Sequence, residues 1–194
     1  MPSKALITIA KDYHRRKFFQ QQGINGAEKL GINIPQVLEH VRSLRNGFAG
    51  GMVKTTEEIA GGRLVTGRAT IISPDCIVVD GKEIKTDKII IAAGAHPKIP
   101  GNWRKFGNRI LTYENLFEQK QLPPRIAAIG IGPIGLELGQ SLSRLGIEVM
   151  FFDLQGSIAQ IKDPAVNKTA YDIFSKEIPL YLGSAVDITE EKDG

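Results

Sequence analysis

Three glycines and one aspartate carry the clearest chemical signal in this sequence. Gly130, Gly132 and Gly135 have the spacing G-x-G-x-x-G, and Asp153 follows the first of them by 23 residues. In this pattern the first glycine allows a tight turn, the second lets backbone approach a pyrophosphate, and the third lets a helix pack on a strand. The acid accepts hydrogen bonds from a ribose diol. These residues therefore predict a dinucleotide-binding site.

The sequence around the glycines supplies the elements that such a site needs. An apolar strand (126–129) precedes them, an amphipathic helix follows, and a second apolar strand ends at Asp153. The helix N-terminus would offer unpaired N–H groups and the positive end of its dipole to phosphates. A lone glycine motif is weak evidence, so this context is what favours the dinucleotide site. The alternative is a glycine cluster that only serves packing in an ordinary strand–helix turn.

Composition excludes several functional classes. The chain has 194 residues and a net charge of +4, with Lys and Arg spread along it, which argues against nucleic acid as a partner. No apolar run approaches the roughly 20 residues that span a bilayer, and no signal peptide is recognisable, so we expect no membrane partner and a cytoplasmic location. The single cysteine, Cys76, argues against a disulfide scaffold. The histidines lack acidic or cysteine neighbours at ligand spacing, so we predict no metal site.

Periodicity and turn signals predict an α/β fold. We expect two helices, then a β-meander with a hairpin at Asp80-Gly81, then the strand–helix–strand unit of a Rossmann-type domain. The limits that we predict for the other elements are a helix over 4–22, a helix from the cap Asn33 to about 59, strands within 63–92, a short helix over 113–119, a helix over 164–176, and strands at 179–182 and 185–188.

Three segments, taken together, resemble the flavin-dependent pyridine nucleotide–disulfide oxidoreductases. They are PSKAL at 2–6, KIIIAAGAHPKIPG at 88–101 and GIGPIGLELG at 130–139, in the order in which the family has them. The resemblance covers essentially the whole chain and is strongest to the dihydrolipoamide dehydrogenase branch. It implies FAD and NAD as cofactors and a small-molecule dithiol or disulfide as substrate. Mercuric-reductase-like and NADH-oxidase-like enzymes are the alternatives within the class.

The resemblance also predicts the domain organisation. Residues 1–121 would be part of an FAD-binding domain, and residues 122–194 part of an NAD-binding domain. It puts the two redox cysteines and the flavin glycine motif before Met1, and the dimerisation domain with its acid/base pair after the last residue. We therefore expect an internal piece of a homodimeric enzyme, without turnover of its own. Ala93 and Ala95 depart from the family, which usually has Thr and Ser there.

The resemblance implies flavin-related roles for four residues. Lys4 and Glu137 would form a pair beside the flavin that tunes hydride transfer electrostatically. Gly94 and Ala69 would contact the flavin nucleotide through their backbone. The alternative for the first two is a surface lysine and an ordinary helix glutamate, and for the other two it is strand-end packing.

Two further residues inside the glycine loop, Pro133 and Ile134, match a position where the family often gates the nicotinamide pocket. Pro133 also suits the first turn of a helix without any such role. We predict NAD rather than NADP, because Asp153 would repel a 2′-phosphate and residues 154–161 contain no Arg or Lys. Two other hypotheses are a non-catalytic nucleotide-binding module and a piece that does not fold alone and exposes strand edges.

Overall fold

A computed structural model describes residues 2–190 of the chain. The chain forms two compact units, a larger one of Met1–Arg45 and Ile99–Gly194 and a smaller one of Asn46–Lys98. These limits differ from the family-based boundary after residue 121, which stays a prediction about the domains. In chain order, the elements are α1 (Pro2–Arg15), α2 (Ile34–Ala60), β1 (Ala69–Ser73), β2 (Cys76–Val79), β3 (Lys82–Lys85), β4 (Arg125–Ile129), α3 (Pro133–Arg144), β5 (Glu148–Asp153), α4 (Pro164–Phe174) and β6 (Leu180–Leu182).

The larger unit is built on a parallel sheet with the order β4-β5-β6. The register places Ile129 beside Phe152, so β4 and β5 end together at one edge of the sheet. Helix α3 connects these two strands and lies close against them. The close approach is seen at Gly139, where an added Cβ would lie 2.4 Å from the Phe151 ring. Phe151 is fully buried. This strand–helix–strand unit is the one that the sequence predicts.

Helix α1 packs on α3 through a narrow apolar stripe. Leu6 and Ala10 of α1 are buried in the same hydrophobic cluster as Leu138 and Leu142 of α3. Residues four apart lie on one face of a helix, and for that reason these two pairs form matching stripes. The first turns of α2 add Val37 and other apolar residues to this cluster. The cluster fixes α3, the helix whose N-terminus forms the predicted site.

The smaller unit contains an antiparallel meander, β1-β2-β3. Asp80 and Gly81 connect β2 to β3 with φ angles of 47° and 86°, the positive pair that a two-residue hairpin turn requires. The predicted strand in the KIII run does not form: residues 88–92 have no regular structure, and Ile90 is 92% exposed. A strand needs a hydrogen-bonded neighbour, and the described part of this unit offers that run none.

Several predicted limits also change. The first helix ends at Arg15 and continues to Gln22 only as 3₁₀ turns. Helix α2, in contrast, ends at Ala60, close to the predicted limit of about 59. The helix expected over 113–119 is a single 3₁₀ turn, Leu116–Glu118. Residues 185–188 form no strand.

Residues 2–190 contain neither a candidate membrane span nor a candidate metal cluster. No helix in this range combines the length and the apolar character that crossing a bilayer requires. Nor do the same residues bring three or more His, Cys, Asp or Glu side chains together in a way that could hold a metal ion.

A half-buried polar cluster holds the C-terminal end of α3. Arg144 donates from Nε and Nη2 to the two carboxylate oxygens of Glu177, at 2.6 and 3.0 Å, and Gln140 donates to one of them at 2.9 Å. His14 Nδ1, at the end of α1, lies 3.9 Å from the same carboxylate. The hydrogen bonds from Arg144 lower the pKa of Glu177. Burial, followed by the positive charge of Arg144, lowers the pKa of His14.

We expect this cluster to make the larger unit acid-sensitive. Because the folded chain lowers the pKa of His14, the unfolded chain takes up that proton first, and stability falls as the pH drops below about 6.5. The lowered pKa of Glu177 adds stability that is complete above about 4.5 and is lost as the pH falls further. Urea denaturation between pH 7.5 and 4 measures both effects. In H14Q the fall in the free energy of unfolding above pH 5 should shrink, and in E177Q the fall below pH 5 should shrink. An unchanged pH profile in both variants would contradict the assignment of these effects to His14 and Glu177.

Candidate dinucleotide-binding site

The glycine loop begins with a turn that glycine suits. Gly130 follows the last residue of β4 and has a φ of 94°, in the left-handed region that other residues rarely adopt. Its N–H donates to the carbonyl oxygen of Phe152 at 2.8 Å, which keeps the loop attached to the end of β5. The first glycine of the motif therefore has the turn-forming role that its position predicts.

The third glycine allows the loop to fold back on α3. An ideal Cβ at Gly135 would lie 2.0 Å from the carbonyl oxygen of Gly130, a separation that no side chain tolerates. The direct helix–strand contact instead belongs to Gly139, four residues later on the same face of α3. The G-x-G-x-x-G motif does not include Gly139, although its i+4 spacing from Gly135 places both glycines on one helix face.

The second glycine borders open space at the start of α3. Gly132 is the N-cap residue of the helix, with φ −66° and ψ 174°, and no side chain caps the helix there. A Cβ at Gly132 would meet only one atom within 4 Å, Nε2 of Gln160 at 3.9 Å. Pro133 occupies the first turn, where its missing N–H is not needed. Apart from Gln160, no residue beyond its chain neighbours therefore covers the positive end of the helix dipole at the Cβ position of Gly132.

Asp153 closes the loop from the end of β5. Its Oδ2 accepts the Ile131 N–H at 2.6 Å and its Oδ1 accepts the Gln155 N–H at 2.6 Å. Ile131 is fully buried, so without this carboxylate its N–H would lack a hydrogen-bond partner. A carboxylate has about four acceptor positions, and the two that remain can receive ribose hydroxyls. The motif spacing predicts the ribose role of Asp153 but not its hydrogen bond to the Ile131 N–H.

The segment after Asp153 is held against the glycine loop. Ala159 N–H donates to the carbonyl oxygen of Ile131 at 2.8 Å. Asn167 of α4 accepts from the Ile158 N–H at 2.8 Å and donates to the Gly156 carbonyl at 3.1 Å. These contacts fix residues 156–159 beside the predicted site. No local pattern marks Asn167 for this role, because its partners lie nine and eleven residues away in the chain.

The structure brings the helices of Lys4 and Glu137 together without joining the two side chains. Helices α1 and α3 pack on each other, and both side chains are exposed. No ion pair within 4.0 Å connects them among residues 2–190. Their pairing stays a prediction. The gating role of Pro133 and Ile134, both exposed at the start of α3, also stays a prediction.

The two other predicted flavin contacts lie in the smaller unit. Ala69 is the first residue of β1 and pairs with Val79. Gly94 has a φ of 75° and is exposed, and a Cβ there would meet no atom within 4 Å. Cys76, at the start of β2, is buried and forms no disulfide, as expected for a small apolar side chain.

The sequence pattern that defines the pyridine nucleotide–disulphide oxidoreductases matches residues 1–194. The chain belongs to this family. Enzymes of the family use FAD and NAD(H), which agrees with both predicted cofactors. The fold agrees as well: the crystal structure of LpdA from Mycobacterium tuberculosis aligns with a TM-score of 0.76 at 22% identity, over 94% of this chain and 41% of that one.

Curated relatives in the family include two kinds of enzyme. A dihydrolipoyl dehydrogenase of Chlamydia trachomatis is 30% identical over 186 residues, which are 91% of this chain and 39% of that protein. A mercuric reductase of Lysinibacillus sphaericus is 27% identical over 195 residues, 98% of this chain and 35% of that protein. The chain thus spans about two fifths of the length of such relatives.

Proposed function

We propose that the larger unit binds NAD at the glycine loop, and that the whole protein is an FAD- and NAD-dependent dithiol–disulfide oxidoreductase of the dihydrolipoamide dehydrogenase type. One observation carries the proposal. The uncapped N-terminus of α3 faces open space at Gly132, and the Asp153 carboxylate lies at the end of the neighbouring strand. This arrangement offers a dipole to a pyrophosphate and an acceptor to a ribose within a single loop.

Each residue of the loop would have a different role in binding NAD. Gly132 and the N-terminus of α3 would hold the pyrophosphate, with Gly130 and Gly135 shaping the turn beneath it. Asp153 would accept the ribose hydroxyls, and its charge would disfavour the 2′-phosphate of NADP. When bound, NAD supplies a hydride acceptor or donor.

The flavin-side residues are proposed on family resemblance. Lys4 and Glu137 would act electrostatically near the flavin, and Ala69 and Gly94 would contact its nucleotide through backbone. The open space at the Cβ position of Gly94 fits such a close approach. Thiol–disulfide exchange needs two cysteines, whereas this chain contains only Cys76. We therefore expect binding without turnover from the 194-residue chain.

A mercuric-reductase-like activity is the second candidate, favoured by the relative from Lysinibacillus sphaericus. The substrate of the whole protein would then be a metal ion bound by thiolates rather than a dithiol. Homodimeric assembly and a cytoplasmic location remain predictions from the family and from the sequence.

Titration of the purified 194-residue chain with NADH tests the proposal. We expect saturable binding, seen as a change in NADH fluorescence, and a clearly lower affinity for NADPH under the same conditions. With FAD, NAD and dihydrolipoamide added, we expect no NADH production. A folded chain that does not bind NADH would contradict the nucleotide site. Turnover that disappears in C76S would contradict the expectation that the thiol chemistry needs a second cysteine.

A further inference from the structure

A strained turn lies beside the glycine loop. Ala159 and Gln160 have φ angles of 51° and 62°, so two consecutive residues with side chains adopt the left-handed conformation that normally favours glycine. Such backbone persists only when surrounding contacts over-determine it. Here the Ala159 N–H bonds to Ile131, and Asn167 holds the preceding residue, Ile158. These contacts hold the backbone of Gln160 beside the glycine loop, and its side chain is exposed.

That position is next to the open space at Gly132. Nε2 of Gln160 lies 3.9 Å from where a Cβ of Gly132 would be, and no other atom outside its chain neighbours comes within 4 Å of that point. The Gln160 amide makes no hydrogen bond to any other residue between 2 and 190. A side-chain amide carries two N–H donors, and both are available here.

We propose that the Gln160 amide donates a hydrogen bond to a pyrophosphate oxygen of the bound dinucleotide, so that Gln160 determines specificity for a diphosphate. The inference rests on the proposed function, because it deepens the assignment of the same site. The second glycine of the motif is where backbone approaches the pyrophosphate, and the amide lies on that side of Gly132. A neutral donor suits this place: it binds a phosphate oxygen without neutralising Asp153, whose charge serves the ribose end of the site.

Calorimetric titration of the 194-residue chain with ADP and with adenosine tests the inference. Q160M keeps the side-chain length and removes the donors, and Q160E replaces them with a negative charge. We expect Q160M to raise the Kd for ADP about tenfold, the loss of one hydrogen bond to a charged group. Q160E should raise it further through repulsion. Adenosine has no phosphate, so its Kd should not change. Gln155 is an exposed glutamine of the same loop, and Q155M is the matched control that should leave both affinities unchanged.

Three results would overturn the inference. Equal ADP affinity in Q160M and the unmodified chain would show that the amide does not contact the diphosphate. An equal loss for ADP and adenosine would mean that residue 160 acts through the shape of the loop and not through its amide. Urea denaturation of Q160G, which relieves the strained backbone, would then measure how much that strain lowers the free energy of unfolding. Absence of ADP, adenosine and NADH binding by the unmodified, folded chain would refute the proposed function, and this inference with it.

Discussion

Replacing Gly135 with alanine is expected to abolish NADH binding and to destabilise the larger unit. The new Cβ would lie 2.0 Å from the carbonyl oxygen of Gly130, so either the glycine loop or the first turn of α3 must move. The obstacle is backbone rather than the flexible end of a side chain. We expect the free energy of unfolding to fall by about 3 kcal/mol, at the upper end of what overpacking costs. Urea denaturation and NADH titration measure the two effects.

G132A is the matched control for this substitution. Its φ of −66° suits alanine, and the added methyl group would meet only Gln160 Nε2, at 3.9 Å. Alanine is a poorer N-cap residue than glycine, so we expect the free energy of unfolding of G132A to fall by about 1 kcal/mol or less, well below the loss in G135A. NADH binding should nevertheless weaken strongly, because the methyl group fills space that the pyrophosphate needs. If G132A binds NADH normally, the pyrophosphate does not approach the loop at this residue.

The sequence predicts the strand–helix–strand unit well because each of its signals is local. Gly130 needs only its own backbone conformation, α3 has a proline in its first turn, and the apolar residues of β5 are consecutive. The predicted strand at 88–92 shows the opposite case. Its apolar run has the composition of a strand, but a strand is stable only beside another strand, and the run itself does not encode that neighbour.

The site shows the same division between local and long-range information. The motif spacing identifies Gly132 and Asp153, but it does not reveal that the carboxylate also holds the Ile131 N–H, 22 residues earlier. The contribution of Asn167 and the position of Gln160 depend on how α4 and the strained turn pack against the glycine loop. Sequence patterns report the elements of a site, whereas the contacts that preorganise it arise from tertiary packing.

Asp153 has both a structural role and a predicted role in nucleotide binding, so removing its carboxylate should have two separable effects. In D153A the buried N–H of Ile131 loses its acceptor, which should lower the free energy of unfolding by about 1–3 kcal/mol. The site also loses the negative charge that disfavours a 2′-phosphate, so the preference for NADH over NADPH should fall about tenfold or more. Urea denaturation measures the first effect, and parallel titrations with NADH and NADPH measure the second.

D163A separates these effects, because Asp163 performs the same structural task at another place. It is the N-cap of α4, and its carboxylate accepts the N–H groups of Ala165 and Val166 at 2.9 and 3.0 Å. Loss of this cap should cost about 1 kcal/mol. The preference for NADH should remain, because Asp163 has no predicted contact with the nucleotide. If D163A changes the nucleotide preference as much as D153A, general loosening of the larger unit explains both results, and Asp153 does not select the cofactor by its charge.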